Sequence, residues 1–258
     1  MTTDPSPFYE ELADYYHLIF EDWDRSIARQ AKILNSLLAP QLGTKPLKIL
    51  DCACGIGTQS IGLAQLGHHV VASDLSPAAV RRAEKEARQR NLQIEFHVSD
   101  MTQLKEVDQD RFDAAIAIDN ALPHLDASQL RQAASAIAQK LRPNGLFIAS
   151  IRDYDALIVE KPTSQPPSFW GNLGSRRIVH QIWDWADTTG PEPGYRLHLY
   201  ITLESTQGWH CHHFVSRYRW LLREELSSVL RDIGLSEIRW LMPAESGFYQ
   251  PLVLARLP

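Results

Sequence analysis

In the first part of the chain, short apolar runs alternate with segments whose apolar residues have helical spacing. The helical segment after Ser76 has a serine N-cap followed by Pro77, and Asp126 with Gln129 three residues later forms a capping signal. Strands that alternate with helices in this way predict a parallel sheet covered by helices on both faces. The predicted strands are 47–51, 69–74, 94–98, 112–118 and 146–151. The predicted helices include 58–66, one that starts at Pro77 and has Val80, Ala83 and Ala87 on one face, and 126–141.

After residue 151 the pattern changes to period two, which is typical of antiparallel strands with one buried face. Residues 160–172 contain three prolines and are interpreted as a loop. The chain before residue 46 is expected to be helical. Antiparallel strands are predicted at 177–185, 195–204 and 209–219, a helix at 221–233, and two final strands at 238–241 and 252–255.

The segment between the first strand and its helix, Asp51-Cys-Ala-Cys-Gly-Ile-Gly57, consists largely of small residues. Small residues let a ligand approach the backbone, and a helix N-terminus offers free N–H groups. Asp74 ends the second strand seventeen residues after Gly57, where a carboxylate can accept both hydroxyls of a ribose. These features together indicate a site for a nucleoside cofactor.

Two details of this segment separate the possible cofactors. A dinucleotide-binding loop has a third glycine three residues after the second, where this chain has Ser60. It also has no need for an acid four residues before its first glycine, where this chain has Asp51. Both departures favour S-adenosylmethionine over a nicotinamide dinucleotide.

Composition and charge disfavour some classes of binding partner and favour others. The 258 residues carry 26 basic and 31 acidic side chains and no dense basic tract, which disfavours nucleic acid as a partner. No apolar run is long enough for a membrane span, and the N-terminus lacks the features of a secretory signal. Three cysteines fit a reducing compartment. We therefore expect a cytoplasmic protein that acts on a small molecule. The sequence does not predict whether the protein forms oligomers.

The 51–57 segment resembles the first motif of class I S-adenosylmethionine-dependent methyltransferases. Its Asp-x-Ala-Cys-Gly form resembles glycine and glycine/sarcosine N-methyltransferases in particular, since Ala53 replaces the glycine of the broader class. The likeness continues at 71–76, 99–101, 119–125 and 152–155 and covers most of the chain from about residue 9.

The resemblance implies a Rossmann-like α/β fold with a mostly parallel central sheet and an antiparallel last strand. It implies an N-terminal helical lid at 1–45, a methyltransferase domain at 46–258 and an inserted small antiparallel sheet at about 171–219.

The same resemblance implies a set of cofactor contacts. The methionine part would lie against Asp51, Ala53 and Gly55, with its amino group at the Ile118 and Asp119 backbone. Asp74 would hold the ribose, with Leu75 beside the adenine. The adenine would also meet Asp100 and Met101.

Four aromatic residues near the N-terminus, Tyr9, Tyr16, Phe20 and Trp23, are spaced to share one face of a helix. Such a stripe fits a core face, but a helix before the first strand can also cross the ligand-binding edge of the sheet. On the second interpretation Tyr16 and Trp23 contact the cofactor.

His124 and Asp119 follow the fourth strand and are candidates to orient or deprotonate an acceptor amine. A structural role in the loop is the alternative for His124. Arg152, Tyr154 and Arg177 are candidates to bind an acceptor carboxylate, although each arginine could instead be structural.

The run His210-Cys-His-His213 alternates its side chains across a strand, so we expect no metal site there. The sequence favours methyl transfer from S-adenosylmethionine to the nitrogen of a small amine or amino acid. Transfer to the oxygen of a small metabolite, a module that senses S-adenosylmethionine without turnover, and a nicotinamide oxidoreductase remain as alternatives.

Overall fold

The structure is a computed structural model that describes residues 6–185 and 192–258. In chain order the helices are α1 (Ser6–Leu12), α2 (Trp23–Leu42), α3 (Thr58–Gln65), α4 (Pro77–Gln89), α5 (Ala127–Lys140), α6 (Tyr154–Glu160), α7 (Arg223–Asp232) and α8 (Pro243–Ser246). The strands are β1 (Lys48–Asp51), β2 (His69–Asp74), β3 (Glu95–Val98), β4 (Phe112–Ala117), β5 (Leu141–Ser150), β6 (Ser164–Trp170), β7 (Arg177–Asp184), β8 (Gly194–Ser205), β9 (Gly208–Arg219), β10 (Ser236–Leu241) and β11 (Leu252–Arg256).

The central sheet has seven strands in the order β10-β11-β5-β4-β1-β2-β3. Strands β1 to β5 pair in parallel, whereas β11 is antiparallel to both of its neighbours. This confirms the expected mostly parallel sheet with an antiparallel last strand. Buried aliphatic residues alternate between the two faces of the sheet and form one core cluster on each face.

Local signals place the helix ends where the sequence predicts them. The Ser76 hydroxyl accepts the N–H of Ala79, and Pro77 is the first residue of α4. Asp126 and Gln129 form a reciprocal capping box at the start of α5. Each cap satisfies backbone N–H groups that the first helical turn leaves free.

The second sheet is antiparallel with the order β6-β7-β8-β9, and it corrects one prediction. Residues 160–172 were interpreted as a loop because of their prolines, but β6 occupies 164–170. Pro166 and Pro167 fall where the register with β7 shifts, between Gln165 and Ser168. An edge strand tolerates proline at such an irregularity because the missing N–H faces away from the sheet.

The aromatic residues near the N-terminus do not share one helix, which corrects a second prediction. Helix α1 ends at Leu12, a short 3-10 turn covers Tyr16–Ile19, and Asp22 caps a separate helix by accepting the N–H of Arg25. The segment from Tyr9 to Phe20 therefore crosses the carboxyl ends of the parallel strands. There Glu10 of α1 contacts the start of α4. The Glu10 carboxylate accepts the Ser76 hydroxyl at 2.8 Å.

None of the helices in the described ranges is long and apolar enough to cross a membrane.

Candidate active site

The loop between β1 and α3 is supported from below by Asp51. This carboxyl group is fully buried and accepts the Ser60 hydroxyl at 2.6 Å. Burial raises the pKa of Asp51 to about 7, and the Ser60 hydrogen bond opposes that rise. The structure thus places Asp51 beneath the loop, while Ala53 and Gly55 line a cavity above it.

The loop makes two turns that favour glycine. Gly55 and Gly57 have φ values of 51° and 92°. A Cβ on Gly57 would also lie 3.1 Å from the Ile61 side chain. These backbone conformations, which other residues rarely adopt, bring the loop against the cavity.

This cavity, called the cofactor cavity below, has about 810 Å³ of empty space, including its opening to solvent. Its lining comes from the loop after β1, from the carboxyl ends of β2, β3 and β4, and from the N-terminal segment. The predicted residues that line it are Tyr16, Ala53, Gly55, Asp74, Leu75, Asp100, Met101, Ile118, Asp119 and His124.

Asp74 is held in a fixed orientation. One carboxylate oxygen accepts the N–H of Gly55 at 2.8 Å, and the other accepts the N–H of Ser76 at 2.9 Å. Burial raises the pKa of Asp74, and these two hydrogen bonds act in the opposite direction. Each carboxylate oxygen keeps a further lone pair, so Asp74 can also accept the two hydroxyls of a ribose.

The part of the cofactor cavity that is lined by Leu75, Asp100 and Met101 suits an adenine. Asp100 accepts the N–H of Thr102 through one oxygen at 2.8 Å, and the other oxygen has no hydrogen-bond partner among the described residues. Leu75 and Met101 supply apolar surface. One free acceptor between apolar walls fits the adenine amino group and ring, so the cavity as a whole fits S-adenosylmethionine.

Asp119 lies just beyond β4 in a left-handed conformation with φ of 62°. Its N–H donates to the Ser150 hydroxyl at 2.7 Å, and its carboxylate accepts the Tyr16 hydroxyl at 2.9 Å. A non-glycine residue adopts this conformation at an energetic cost that its hydrogen bonds must offset. Both bonds fix the position of the carboxylate at the edge of the cofactor cavity.

His124 fixes a second tyrosine. Its Nε2 atom and the Tyr9 hydroxyl lie 2.9 Å apart, and its ring packs against Tyr218 with the centroids 4.2 Å apart. Burial lowers the pKa of His124 to about 3. At neutral pH the ring is therefore uncharged and serves as a hydrogen-bond partner for Tyr9.

A second cavity, called the acceptor cavity below, adjoins the first and has about 1540 Å³ of empty space, including its opening to solvent. Tyr9, Tyr16 and Asp119 line both cavities. Among the candidates for carboxylate binding, Arg152 lines the acceptor cavity.

The Arg152 guanidinium is enclosed by aromatic rings. It lies 4.8 Å from the Trp183 ring and 5.3 Å from the Tyr218 ring, donates to the Tyr195 hydroxyl, and lies 3.4 Å from the Gln181 amide oxygen. No carboxylate within residues 6–185 and 192–258 forms an ion pair with it. A cation in this setting can bind an anionic ligand.

Tyr154 and Arg177 do not line either cavity. The Tyr154 hydroxyl is buried and donates to the Asn120 amide oxygen at 3.1 Å. Arg177 donates to the Phe20 carbonyl at 2.7 Å and lies 5.0 Å from the Trp170 ring. Arg177 therefore joins the second sheet to the N-terminal segment.

Trp23 also lies outside the cofactor cavity. It begins α2, and its indole N–H donates to the Thr58 hydroxyl at 2.9 Å. Thr58 and Ile56 line the cavity, so Trp23 supports the lining from behind and packs with Ile56 and Ile61.

Sequence reasoning missed several residues that line the acceptor cavity, namely Gln181, Trp183, Tyr218 and Tyr249. Gln181 and Trp183 alternate with outward residues on β7, and Tyr218 does so on β9. The period-two pattern predicted strands with one buried face here, but nothing in it indicated that this face meets a ligand cavity.

The histidine run on β9 has its side chains on alternate faces, as predicted. His212 packs against Tyr15 with ring centroids 4.1 Å apart, and His213 lies 2.9 Å from the ring nitrogen of His198 on the other face. The described part of the chain holds no group of three or more histidine, cysteine or acidic side chains arranged to bind a metal.

Part of the chain is similar in sequence to known methyltransferases. A family model described as a methyltransferase domain matches residues 49–145. Glycine N-methyltransferase of Mus musculus is 34% identical over 43% of this chain and 42% of its own length. Glycine/sarcosine N-methyltransferase of Parasynechococcus marenigrum is 30% identical over 58% of this chain and 52% of its own length. The chain thus matches about half the length of these curated relatives.

Solved structures share the fold over nearly the whole chain. The sugar N-methyltransferase KedS8 from Streptoalloteichus has a TM-score of 0.74 with 18% identity and covers 93% of this chain and 92% of its own. The amino pentose methyltransferase CalS10 from Micromonospora echinaspora, with S-adenosylmethionine bound, has a TM-score of 0.71 with 18% identity and covers 90% and 92%. The chain therefore carries a methyltransferase domain on the class I S-adenosylmethionine-dependent methyltransferase fold, with sequence homologues among the glycine and glycine/sarcosine N-methyltransferases.

Proposed function

We propose that this chain transfers a methyl group from S-adenosylmethionine to the nitrogen of a small amine that carries a carboxylate. The observation that carries this proposal is the wall shared by the two cavities, formed by Tyr9, Tyr16 and Asp119. A donor in one cavity and an acceptor in the other would meet at these three side chains.

When bound, S-adenosylmethionine supplies a methyl group on a sulfonium, and an amine can displace that group in line. The protein contributes proximity, orientation and exclusion of water. The N-terminal segment supplies part of this enclosure, since Tyr9 and Tyr16 are attached to His124 and Asp119 across the end of the sheet.

Asp119 favours nitrogen over oxygen as the acceptor atom. An attacking amine gains positive charge as its bond to the methyl carbon forms, and a nearby carboxylate stabilises that charge. A hydroxyl acceptor reacts best as an anion, which the same carboxylate would repel. Asp119 is also placed to accept an amine N–H, with Tyr16 holding the carboxylate in position.

His124 acts in this proposal as a positioning residue. A ring whose pKa is about 3 holds a proton poorly at neutral pH, which makes it a weak general base. Its hydrogen bond instead fixes the Tyr9 hydroxyl at the shared wall.

Arg152 binds the carboxylate of the acceptor. A guanidinium has five N–H donors, and the hydrogen bonds to Tyr195 and Gln181 use two of them. The remaining donors can hold a carboxylate in the two-point geometry that arginine favours. Such binding also gives this enclosed cation the partner that the described residues do not supply.

The proposal is tested by S-adenosylhomocysteine release with matched acceptors. Glycine and glycolate differ in having an amine or a hydroxyl at the same carbon, as do alanine and lactate. We expect the amino acids to raise release above the buffer background and the hydroxy acids to leave it unchanged. Release with hydroxyl compounds while every amine is inert would reject nitrogen as the acceptor atom.

A further inference from the structure

The acceptor cavity is far larger than a two-carbon amino acid requires. Its empty space is about 1540 Å³, which includes the opening to solvent. A glycine bound at Asp119 and Arg152 would leave most of this volume filled with water. The remaining lining therefore bears on the identity of the acceptor, given the function proposed above.

The polar groups that would bind the amine and the carboxylate lie close together in the fold. Asp119 and Asn120 follow β4, and the Asn120 side chain accepts the backbone N–H of Arg152 at 3.0 Å. Arg152 in turn follows β5, which pairs with β4. One end of the cavity thus carries partners for both the amine and the carboxylate, which an α-amino acid presents on a single carbon.

Part of the remaining lining is apolar and comes from three separate elements. We call it the apolar groove, and it consists of Ile19, Phe20, Ala156, Leu157, Leu197 and Leu199. Ile19 ends the 3-10 turn and Phe20 follows it. Ala156 and Leu157 belong to α6, and Leu197 and Leu199 lie on the inward face of β8.

The groove residues from the N-terminal segment and α6 keep part of their surface exposed. Leu197 and Leu199 are almost fully buried, but Ile19, Phe20 and Leu157 are only half-buried. Apolar surface that faces a cavity gains stability when a ligand removes it from water.

The charged residues of the lining other than Asp119 and Arg152 are paired or exposed. Asp153 is paired with Arg223 at 2.6 Å. Arg29 and Glu160 are exposed to solvent. None of the six groove residues has a polar side chain, so a charged side chain placed among them would lose hydration without a hydrogen bond from the groove itself.

We infer that the acceptor is an α-amino acid with a large apolar side chain, which lies in the apolar groove while its amine meets Asp119 and its carboxylate meets Arg152. This specificity differs from that of a glycine enzyme, since most of the recognition surface would contact the side chain.

The first test compares leucine, asparagine and glycine as acceptors for the wild-type protein. Leucine and asparagine have similar shapes and differ in polarity. Because burial of a leucine side chain contributes about 1.5–3 kcal/mol, kcat/KM for leucine should exceed that for asparagine and for glycine by roughly tenfold to a hundredfold. Equal values, or a preference for glycine, would overturn the inference.

The second test fills the groove. Ala156→Trp places a large ring among the groove residues, and Val159→Trp is its control because Val159 lies on the same helix with 80% of its surface exposed. Ala156→Trp should lower the ratio of leucine to glycine turnover at least tenfold, by the same side-chain burial. Val159→Trp should leave that ratio unchanged.

S-adenosylhomocysteine affinity, measured by calorimetry, shows whether each variant is folded. A folded Ala156→Trp protein with an unchanged ratio would overturn the inference. Turnover of glycine without preference for leucine would overturn it while the proposed function stands. Absence of turnover with every amino acid would overturn the proposed function itself, together with the inference.

Discussion

Replacement of Arg152 by methionine tests the carboxylate site. Methionine is long enough to pack between Trp183 and Tyr218 but offers no N–H donor. If an acceptor carboxylate receives two hydrogen bonds from the guanidinium, each contributes about 1.5–3 kcal/mol because the donor is charged. Taking the lower value for both gives about 3 kcal/mol, which corresponds to a loss of roughly a hundredfold in kcat/KM.

The assay measures kcat/KM with leucine and with leucinamide, in which a neutral amide replaces the carboxylate. For the wild-type protein leucine should be the better acceptor by a large factor. For Arg152→Met the two acceptors should become nearly equal, since neither then meets the Arg152 guanidinium. The effect of removing the acceptor carboxylate would then depend on whether Arg152 is present. Such non-additivity is expected when the carboxylate and Arg152 interact directly.

Arg177→Met is the matched control. Arg177 contacts the Phe20 carbonyl and lies outside the acceptor cavity lining, so its loss should change the two acceptors by the same factor. S-adenosylhomocysteine affinity serves as the check on folding, because loss of Arg152 also leaves the Tyr195 hydroxyl without its charged partner. A folded Arg152→Met protein that still prefers leucine to leucinamide as strongly as the wild type would refute the assignment.

Three further substitutions probe the cofactor cavity and its support. Asp74→Ala should weaken S-adenosylhomocysteine binding roughly tenfold to a hundredfold in a calorimetric titration, because hydrogen bonds to a charged group contribute about 1.5–3 kcal/mol; normal affinity would show that Asp74 only holds the loop. His124→Ala should lower kcat with little change in cofactor affinity. The wild-type rate should show no ionisation that depends on His124 between pH 5 and 8, because burial lowers the pKa of His124 to about 3. A step in the wild-type pH–rate profile that disappears in the variant would indicate that His124 is a general base. For Asp51, burial raises the pKa from 3.8 to about 7, so the unfolded chain releases this proton first and folding stability is lost as pH rises across that interval. Asp51→Asn removes this loss, so the free energy of unfolding of the variant relative to wild type should rise by up to about 1.4 kcal/mol per pH unit from pH 5 to 7; a difference that is flat with pH in urea titrations would contradict the buried, protonated state.

Features that depend on neighbouring residues in the sequence were predicted well. The caps at Ser76 and Asp126 and the glycine turns after β1 are local, because each is satisfied by backbone groups within a few residues. The order of strands and helices follows from periodicity, which is also local. The parallel sheet and its ligand-binding edge were predictable for this reason.

Features that depend on distant contacts were predicted less well. Asp51 and Trp23 belong to segments that border the cofactor cavity, but packing against Ser60 and Thr58 turns them away from it. Arg152 and Arg177 look equivalent in the sequence. Their difference arises from the side of the second sheet and the partner that each meets, which periodicity alone does not give.

The two prolines of β6 show a third limit. Proline argues against a central strand but is compatible with an edge strand at a register shift. The sequence around Pro166 does not state which position the strand will occupy in its sheet, so the segment was interpreted as a loop. Its position at the edge became apparent from the pairing with β7.

The central claim is that a donor in the cofactor cavity and an amine in the acceptor cavity meet at Tyr9, Tyr16 and Asp119. The most direct measurement uses S-adenosylmethionine labelled in its methyl group, with leucine as the acceptor, and locates the label in the product by mass spectrometry and NMR. The account predicts that the label appears on the amine nitrogen of leucine and that S-adenosylhomocysteine forms in equal amount. A label on oxygen, or no labelled product from any amino acid despite measured cofactor binding, would contradict it.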